Sequence, residues 1–155
     1  AKQIEKRLPA VLSWVKMAAS KPNKYLWGGT IGPHFDCSGL VQAAFASESI
    51  WIPRDAYQQE AFCSKIDLEL GREHLLSIGD LLFLGNSQKC THVAMYGGNG
   101  FYLHSSGLEN GRNGIGSDCL LAQDTNPVAS YYRTKLRGAG RVQRCHEGTT
   151  LPQGF

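Results

Sequence analysis

Strong charge of one sign is missing from this chain: 16 Lys and Arg stand against 13 Asp and Glu, the net charge is +3, and no run of five or six basic residues occurs. So mild a balance gives no argument for nucleic acid, and an ordinary solvated surface accounts for it. No apolar stretch approaches the ~20 residues of a membrane span, so no span is expected. Internal repeats and low-complexity tracts are absent as well. No C-x-x-C pair occurs, which removes the common redox and zinc signatures. The five cysteines (Cys37, Cys63, Cys90, Cys119, Cys145) are odd in number, so at least one thiol has no partner within the chain. No disulfide framework is implied, and pairing among the four besides Cys37 stays open. The chain opens at Ala1 without Met or a charged-then-apolar leader, which fits a processed or trimmed chain.

What is present suits one compact domain over residues 1–155, expected as a monomer: 155 residues at 42% apolar suffice to bury a core without metal or disulfide staples. Pro9 followed by Val11, Leu12, Trp14, Val15 and Ala18 has helical spacing, stopped by Lys21-Pro22-Asn23. Residues 25–35 are glycine-rich and read as a loop. A helix is predicted from Cys37 to about Ala46, an extended stretch at Ile50-Trp51-Ile52-Pro53, and a short helix from Asp55 to about Phe62. Leu81-Leu82-Phe83-Leu84 reads as a buried strand. Residues 91–96 and 101–104 form a hairpin around Gly97-Gly98-Asn99-Gly100, and one or two strands are predicted within 135–142. Residues 105–127 read as a long loop, and the tail from Glu147 as frayed. Helices first and antiparallel strands afterwards define an α+β domain, with the Cys37 helix packed on the sheet, the general layout of papain-like enzymes.

Asp36-Cys37-Ser38-Gly39 places a thiol where a turn becomes an apolar helix. An N-cap Asp and the positive end of the first turn are expected to favour a thiolate there. A lone cysteine at a helix start is nevertheless more often a small buried hydrophobe than a nucleophile. A catalytic thiol needs an imidazole to take and return its proton and a third group to fix that imidazole's tautomer. His92 and His104, twelve residues apart and nearly equidistant from the turn, can be cross-strand neighbours on one face. Zinc on Cys37, Cys90, His92 and His104 is the rival use of these groups, but Cys90-x-His92 is not the spacing of the common sites. No metal or organic cofactor is expected.

Six ordered blocks decide between these readings. They are Tyr25-Leu26-Trp27-Gly28-Gly29, Asp36-Cys37-Ser38-Gly39-Leu40-Val41, Pro53-Arg54-Asp55-Ala56-Tyr57-Gln58-Gln59, Gly79-Asp80-Leu81-Leu82-Phe83, His92-Val93-Ala94-Met95-Tyr96-Gly97-Gly98 and Leu103-His104-Ser105-Ser106-Gly107. In this order, over residues 9 to 142, the chain resembles the NlpC-type cell-wall peptidases. The resemblance implies a papain-like cysteine endopeptidase that cuts peptidoglycan stem peptides or muropeptides between D-γ-glutamate and meso-diaminopimelate or lysine. It implies Cys37 as nucleophile, His92 as base and His104 as orienting residue. Tyr25 is implied beside the thiol, with the Cys37 N–H at the oxyanion. Asp36, Ser38, Arg54 and Asp55 are implied around the substrate; Asp55 suits a free amino terminus or simply caps a helix, and Ser38 bonds substrate or caps its own helix. Ala56 stands where related enzymes carry Ser. Members demanding a free amino terminus commonly carry an SH3-like domain ahead of the catalytic one, so either that domain has been cut away or this protein is less strict. A muramoyl-L-alanine amidase, a thiol acyltransferase and an inactive wall-binding module are the alternatives. Wall cleavage implies a periplasmic or extracellular site, and recycling of free peptides the cytoplasm.

Overall fold

The computed structural model describes residues 1–69, 71–121 and 126–146. Helix α1 (Lys2–Glu5) is followed by α2 (Leu8–Ser20), where Pro9 occupies the first turn without loss of an intrahelical bond and Leu8, Val11, Leu12 and Val15 make the buried stripe. Helix α3 (Cys37–Ala46) carries the thiol at its first position, and α4 (Ala56–Phe62) starts from Asp55, whose backbone N–H donates to Gln58 Oε1 (3.0 Å) in a capping box. The strands are β1 (Ser64–Ile66), β2 (Leu81–Gly85), β3 (Cys90–Gly98), β4 (Phe101–Ser106), β5 (Gly114–Cys119) and β6 (Leu136–Arg141), with helix α5 (Pro127–Arg133) between the last two.

All paired strands are antiparallel, in the order β1-β6-β2-β3-β4-β5. Alternation along β3 sorts the core into two clusters, since successive side chains leave opposite faces of a strand. Val93 and Met95 join Leu40, Val41 and Phe45 of α3 and the stripe of α2 in one cluster. Ala94 and Tyr96 join Leu82, Tyr102, Leu120 and Tyr132 in the other. Each fully buried Leu or Phe contributes ~1.5–3 kcal/mol relative to exposure, and that burial fixes α3 against the centre of the sheet. This is the expected α+β architecture.

Two expectations need correction. The long loop read over 105–127 contains β5, paired with β4 from Phe101↔Cys119 to Ser106↔Gly114, and α5 begins at Pro127. Gly-Ile-Gly-Ser-Asp-Cys lacks the apolar alternation of a strand, and its register is instead fixed by the ladder and by Ile115 N–H donating to Asn23 Oδ1 (2.8 Å). Secondly, a bulge between Tyr96 and Gly98 shifts the hairpin, so that Met95 pairs with Leu103 and Tyr96 with Tyr102. That register carried onward sets His104 across from Ala94, and His92 becomes its diagonal neighbour on the same face. The expected frayed tail lies outside the described residues.

Candidate active site

The turn that presents Cys37 is held from three sides. Asp36 caps α3, accepting from Gly39 N–H (2.7 Å) through Oδ1 and from Gly28 N–H (3.0 Å) through Oδ2. Arg54 spans Asp36 Oδ2 (2.8 Å) and Ser38 Oγ (2.9 Å). From α4, the buried Gln59 amide donates to the carbonyls of Ser38 (3.2 Å) and Pro53 (2.9 Å). The loop over 25–35 lies so close that a Cβ at Gly39 would sit 1.9 Å from Gly29 O, which requires glycine there. Asp36 is thus the cap, and Ser38 is occupied by Arg54.

The histidines form a directed chain. His92 Nε2 lies 2.7 Å from His104 Nδ1, and His104 Nε2 lies 2.6 Å from Asp118 Oδ2. Arg112 grips Asp118 with two bonds, Nε to Oδ2 (2.9 Å) and Nη2 to Oδ1 (2.6 Å). Glycine at 116 makes room for this arm, since a Cβ there would meet Arg112 Cδ and Nε at 2.7 Å. Burial alone would raise the Asp118 carboxyl, but the bonds from His104 and Arg112 outweigh it and hold it below the ordinary aspartate value. His104 is lowered by burial against the opposing pull of Asp118, and His92 is held well below 6.5 by burial and then by His104. Both rings are therefore neutral at pH 7, and the tautomers follow from their partners. An ionised Asp118 only accepts, so His104 carries its proton on Nε2 and offers a lone pair at Nδ1. His92 must then carry its proton on Nε2, which leaves its Nδ1 with a free lone pair.

Tyr132 of α5 stacks on His92 (centroids 4.7 Å apart, 21° between planes), and its hydroxyl is held by Ser106 Oγ and Asn110 Nδ2. Sequence reasoning missed Asp118, Arg112, Tyr132 and Gln59. Gln59 stood in a quoted block, whereas Asp118 and Arg112 fell in the segment read as loop.

The expectation of a lowered thiol pKa is overturned. Burial raises the Cys37 thiol and the Asp36 charge adds to that, outweighing the backbone N–H groups of Val93, Ser38 and Cys37 that act the other way. Cys37 and His92 therefore stand as a neutral thiol and a neutral imidazole. Tyr25, half-buried nearby, is pushed up to about 12 by burial and by Cys37, so it keeps its phenolic proton.

Two cavities meet at Cys37, and Tyr25 and Thr91 line both. One, of about 490 Å³, is lined by Trp27, Asp36, Arg54, Asp55, Ala56 and Lys89. The other, of about 260 Å³, is lined by His92, Glu109, Tyr131, Tyr132 and Lys135. Every expected site residue except His104, which is buried behind His92, lines one of the two. All five cysteines are free thiols.

A thiol at the first position of a helix, beside histidines on an antiparallel sheet, defines the papain-like cysteine peptidase fold. More closely, the chain belongs to the NlpC/P60 family, whose model matches residues 22–139. It is 41% identical over 88 residues to a gamma-D-glutamyl-L-lysine dipeptidyl-peptidase of Bacillus cereus, covering 55% of this chain and 25% of that protein. With the bifunctional muramidase/DL-endopeptidase CwlT of Bacillus subtilis it shares 41% identity over 124 residues, 77% of this chain and 32% of that protein. The crystal structure of an NlpC/P60 family protein from Bacillus cereus superposes with a TM-score of 0.68 at 30% identity, covering 87% of this chain and 40% of that one. The chain thus spans about a third or less of the length of these two curated relatives. Among the described residues no helix is long and apolar enough to cross a membrane.

Proposed function

We propose that this chain is a cysteine endopeptidase of the bacterial cell wall, hydrolysing the bond between D-γ-glutamate and the diamino acid of peptidoglycan stem peptides. The observation that carries the reading is the hydrogen-bonded chain that leaves Nδ1 of His92 unprotonated, on a residue that lines the same cavity as Cys37. The names of the two relatives, a γ-D-glutamyl-L-lysine peptidase and a DL-endopeptidase, support the choice of bond.

The reaction starts with Cys37 giving its proton to His92 Nδ1 as the sulfur attacks the γ-glutamyl carbonyl. The oxyanion takes hydrogen bonds from the Cys37 N–H and the Tyr25 hydroxyl, which stays protonated across the working range. His92, charged for the moment, returns its proton to the nitrogen of the departing diamino acid, and a γ-glutamyl thioester remains on Cys37. His92 then draws a proton from water, whose oxygen replaces the sulfur, and the thiol is regenerated. His104 acts through His92, which it orients. Asp55 faces the acyl-side cavity as the group for an ammonium on the amino side of the peptide, while Ala56 adds no hydroxyl there. On this reading the work takes place in the cell wall, and a chain that instead recycles free peptides would work in the cytoplasm.

The test is mass spectrometry of the products from L-Ala-γ-D-Glu-diamino acid peptides and from defined muropeptides. A new amino terminus on the diamino acid is expected, lost entirely in Cys37→Ala with the circular dichroism spectrum unchanged. Release of the whole stem peptide from muramic acid would make the chain an amidase, and cleavage by Cys37→Ala would end the reading.

A further inference from the structure

The cavity on the His92 side carries two opposite charges that no step of the reaction uses. Glu109 and Lys135 line it together with Cys37 and His92. Neither has an ion-pair partner among the described residues. The Glu109 carboxylate lies against Gly107, another lining residue, so closely that a Cβ there would meet its oxygens at 2.5 and 2.6 Å. Lys135 is half-buried, its carbonyl accepting from Gly85 N–H (2.8 Å) and its ammonium lying 5.7 Å from the centre of the Tyr131 ring on the same wall. Both charged residues therefore line the cavity, and neither is neutralised by an ion pair among the described residues.

The chemistry identifies what enters there. His92 protonates the leaving nitrogen and lines this cavity alone, while Arg54, Asp55 and Ala56 line only the other. The departing diamino acid thus occupies the cavity with Glu109 and Lys135. Lysine would bring an ammonium for Glu109 and nothing on its side chain for Lys135. A diamino acid with a second carboxylate on the carbon bearing its distal amine would satisfy both.

We propose that this cavity reads a zwitterion on the departing residue, Lys135 taking a carboxylate and Glu109 an ammonium, so that the chain prefers meso-diaminopimelate to lysine. The inference rests on the hydrolase reading above. Two carboxylates could reach Lys135, the distal one of diaminopimelate or the main-chain terminus of a free tripeptide, and the substrates below separate them.

The experiment compares L-Ala-γ-D-Glu-meso-diaminopimelate with L-Ala-γ-D-Glu-L-Lys, each as free acid and as main-chain carboxamide, in cleavage by the wild-type chain and in calorimetric binding to Cys37→Ala. A preference for diaminopimelate of roughly tenfold or more is expected in kcat/KM, from one charge-assisted contact, and it persists in the carboxamides. Lys135→Gln should bring that ratio close to one, and Lys135→Arg should restore it. Equal use of the two peptides, or a ratio unmoved by Lys135→Gln, overturns the proposal. So does an effect of Lys135→Gln confined to the free acids, which assigns Lys135 to the terminal carboxylate. If the wild-type chain cleaves neither peptide but the Cys37→Ala protein binds the diaminopimelate carboxamide more tightly in a Lys135-dependent way, the cavity assignment stands and the hydrolase reading falls.

Discussion

The two groups proposed to react, Cys37 and His92, are supported by the same device used for different ends. Arg54 clamps Asp36 beside Cys37, and Arg112 clamps Asp118 behind His92; both arginine side chains are 29% exposed over carboxylates that are 8% and 2% exposed. On the cysteine side the carboxylate caps the very helix that starts with the thiol, so the clamp fixes a position. On the histidine side the carboxylate stands two hydrogen bonds away from His92, the proposed base, at the end of a chain in which every proton has a direction. There the clamp fixes a protonation state. Damage to the first arm should therefore show as loss of stability, and damage to the second as loss of rate in an intact fold.

The largest effect expected from breaking the comparison is on the histidine arm, with Asp118→Asn. The amide keeps an oxygen for Arg112 but can turn its NH₂ to His104, which would push the His104 proton to Nδ1 and that of His92 onto Nδ1, the atom proposed to take the Cys37 proton. A fall in kcat of about 10³–10⁴ is expected by analogy with tautomer inversion in serine-protease triads, with the melting temperature nearly unchanged. Rate loss that scales with loss of fold would reduce Asp118 to a structural residue.

The same contrast explains what could be read from the sequence. The cysteine arm is local: Asp36, Cys37 and Ser38 are contiguous, and Arg54, Asp55 and Gln59 share one block, so a motif exposes nearly all of it. The hairpin was legible because its apolar runs and its Gly-Gly-Asn-Gly turn signal each other. The far half of the histidine arm was not. Asp118 points from an edge strand whose residues are glycines and polar groups, and Gly116 is there to let Arg112 pass. Function has displaced the alternation that would mark a strand. The thiol's ionisation was misread for a related reason: the cap and helix end are visible in sequence, but the burial that opposes them is a tertiary property.

A smaller effect is expected on the cysteine arm. Arg54→Gln removes the counter-charge from the largely buried Asp36, together with the arginine's bonds to Asp36 and to Ser38. A loss of about 1–3 kcal/mol is expected, read as a melting temperature lower by ~2–4 °C per kcal/mol in a chain of this size. Its kcat/KM should fall about tenfold as the turn loosens. The opposite pattern, an unchanged melting temperature with a hundredfold or greater loss confined to KM, would move Arg54 from holding the turn to holding the substrate.

The smallest effect is the one that sharpens the comparison most, because it needs no mutation. Cys37 is raised above the ordinary thiol value of 9.0 and His92 lowered well below 6.5, each mainly by burial. The sign follows for each group. A lowered imidazole stays neutral as pH falls through 6.5 and loses its basic lone pair only well below it, so kcat/KM should remain flat from neutral pH to well under 6.5 before its acid limb begins. A raised thiol stays protonated at neutral pH, so alkylation of Cys37 by iodoacetamide should be slow at pH 7 and still accelerate above pH 9. A preformed thiolate–imidazolium pair predicts the reverse, fast alkylation at pH 7 that fades only in acid. Measured together on the free enzyme, the rate profile reports the ionisation of the pair as a unit and the alkylation profile reports the sulfur. An acid limb near 6.5 would show that His92 works solvated, with Tyr132 displaced from its ring. A flat profile joined to slow alkylation would establish that proton transfer from Cys37 to His92 waits for substrate.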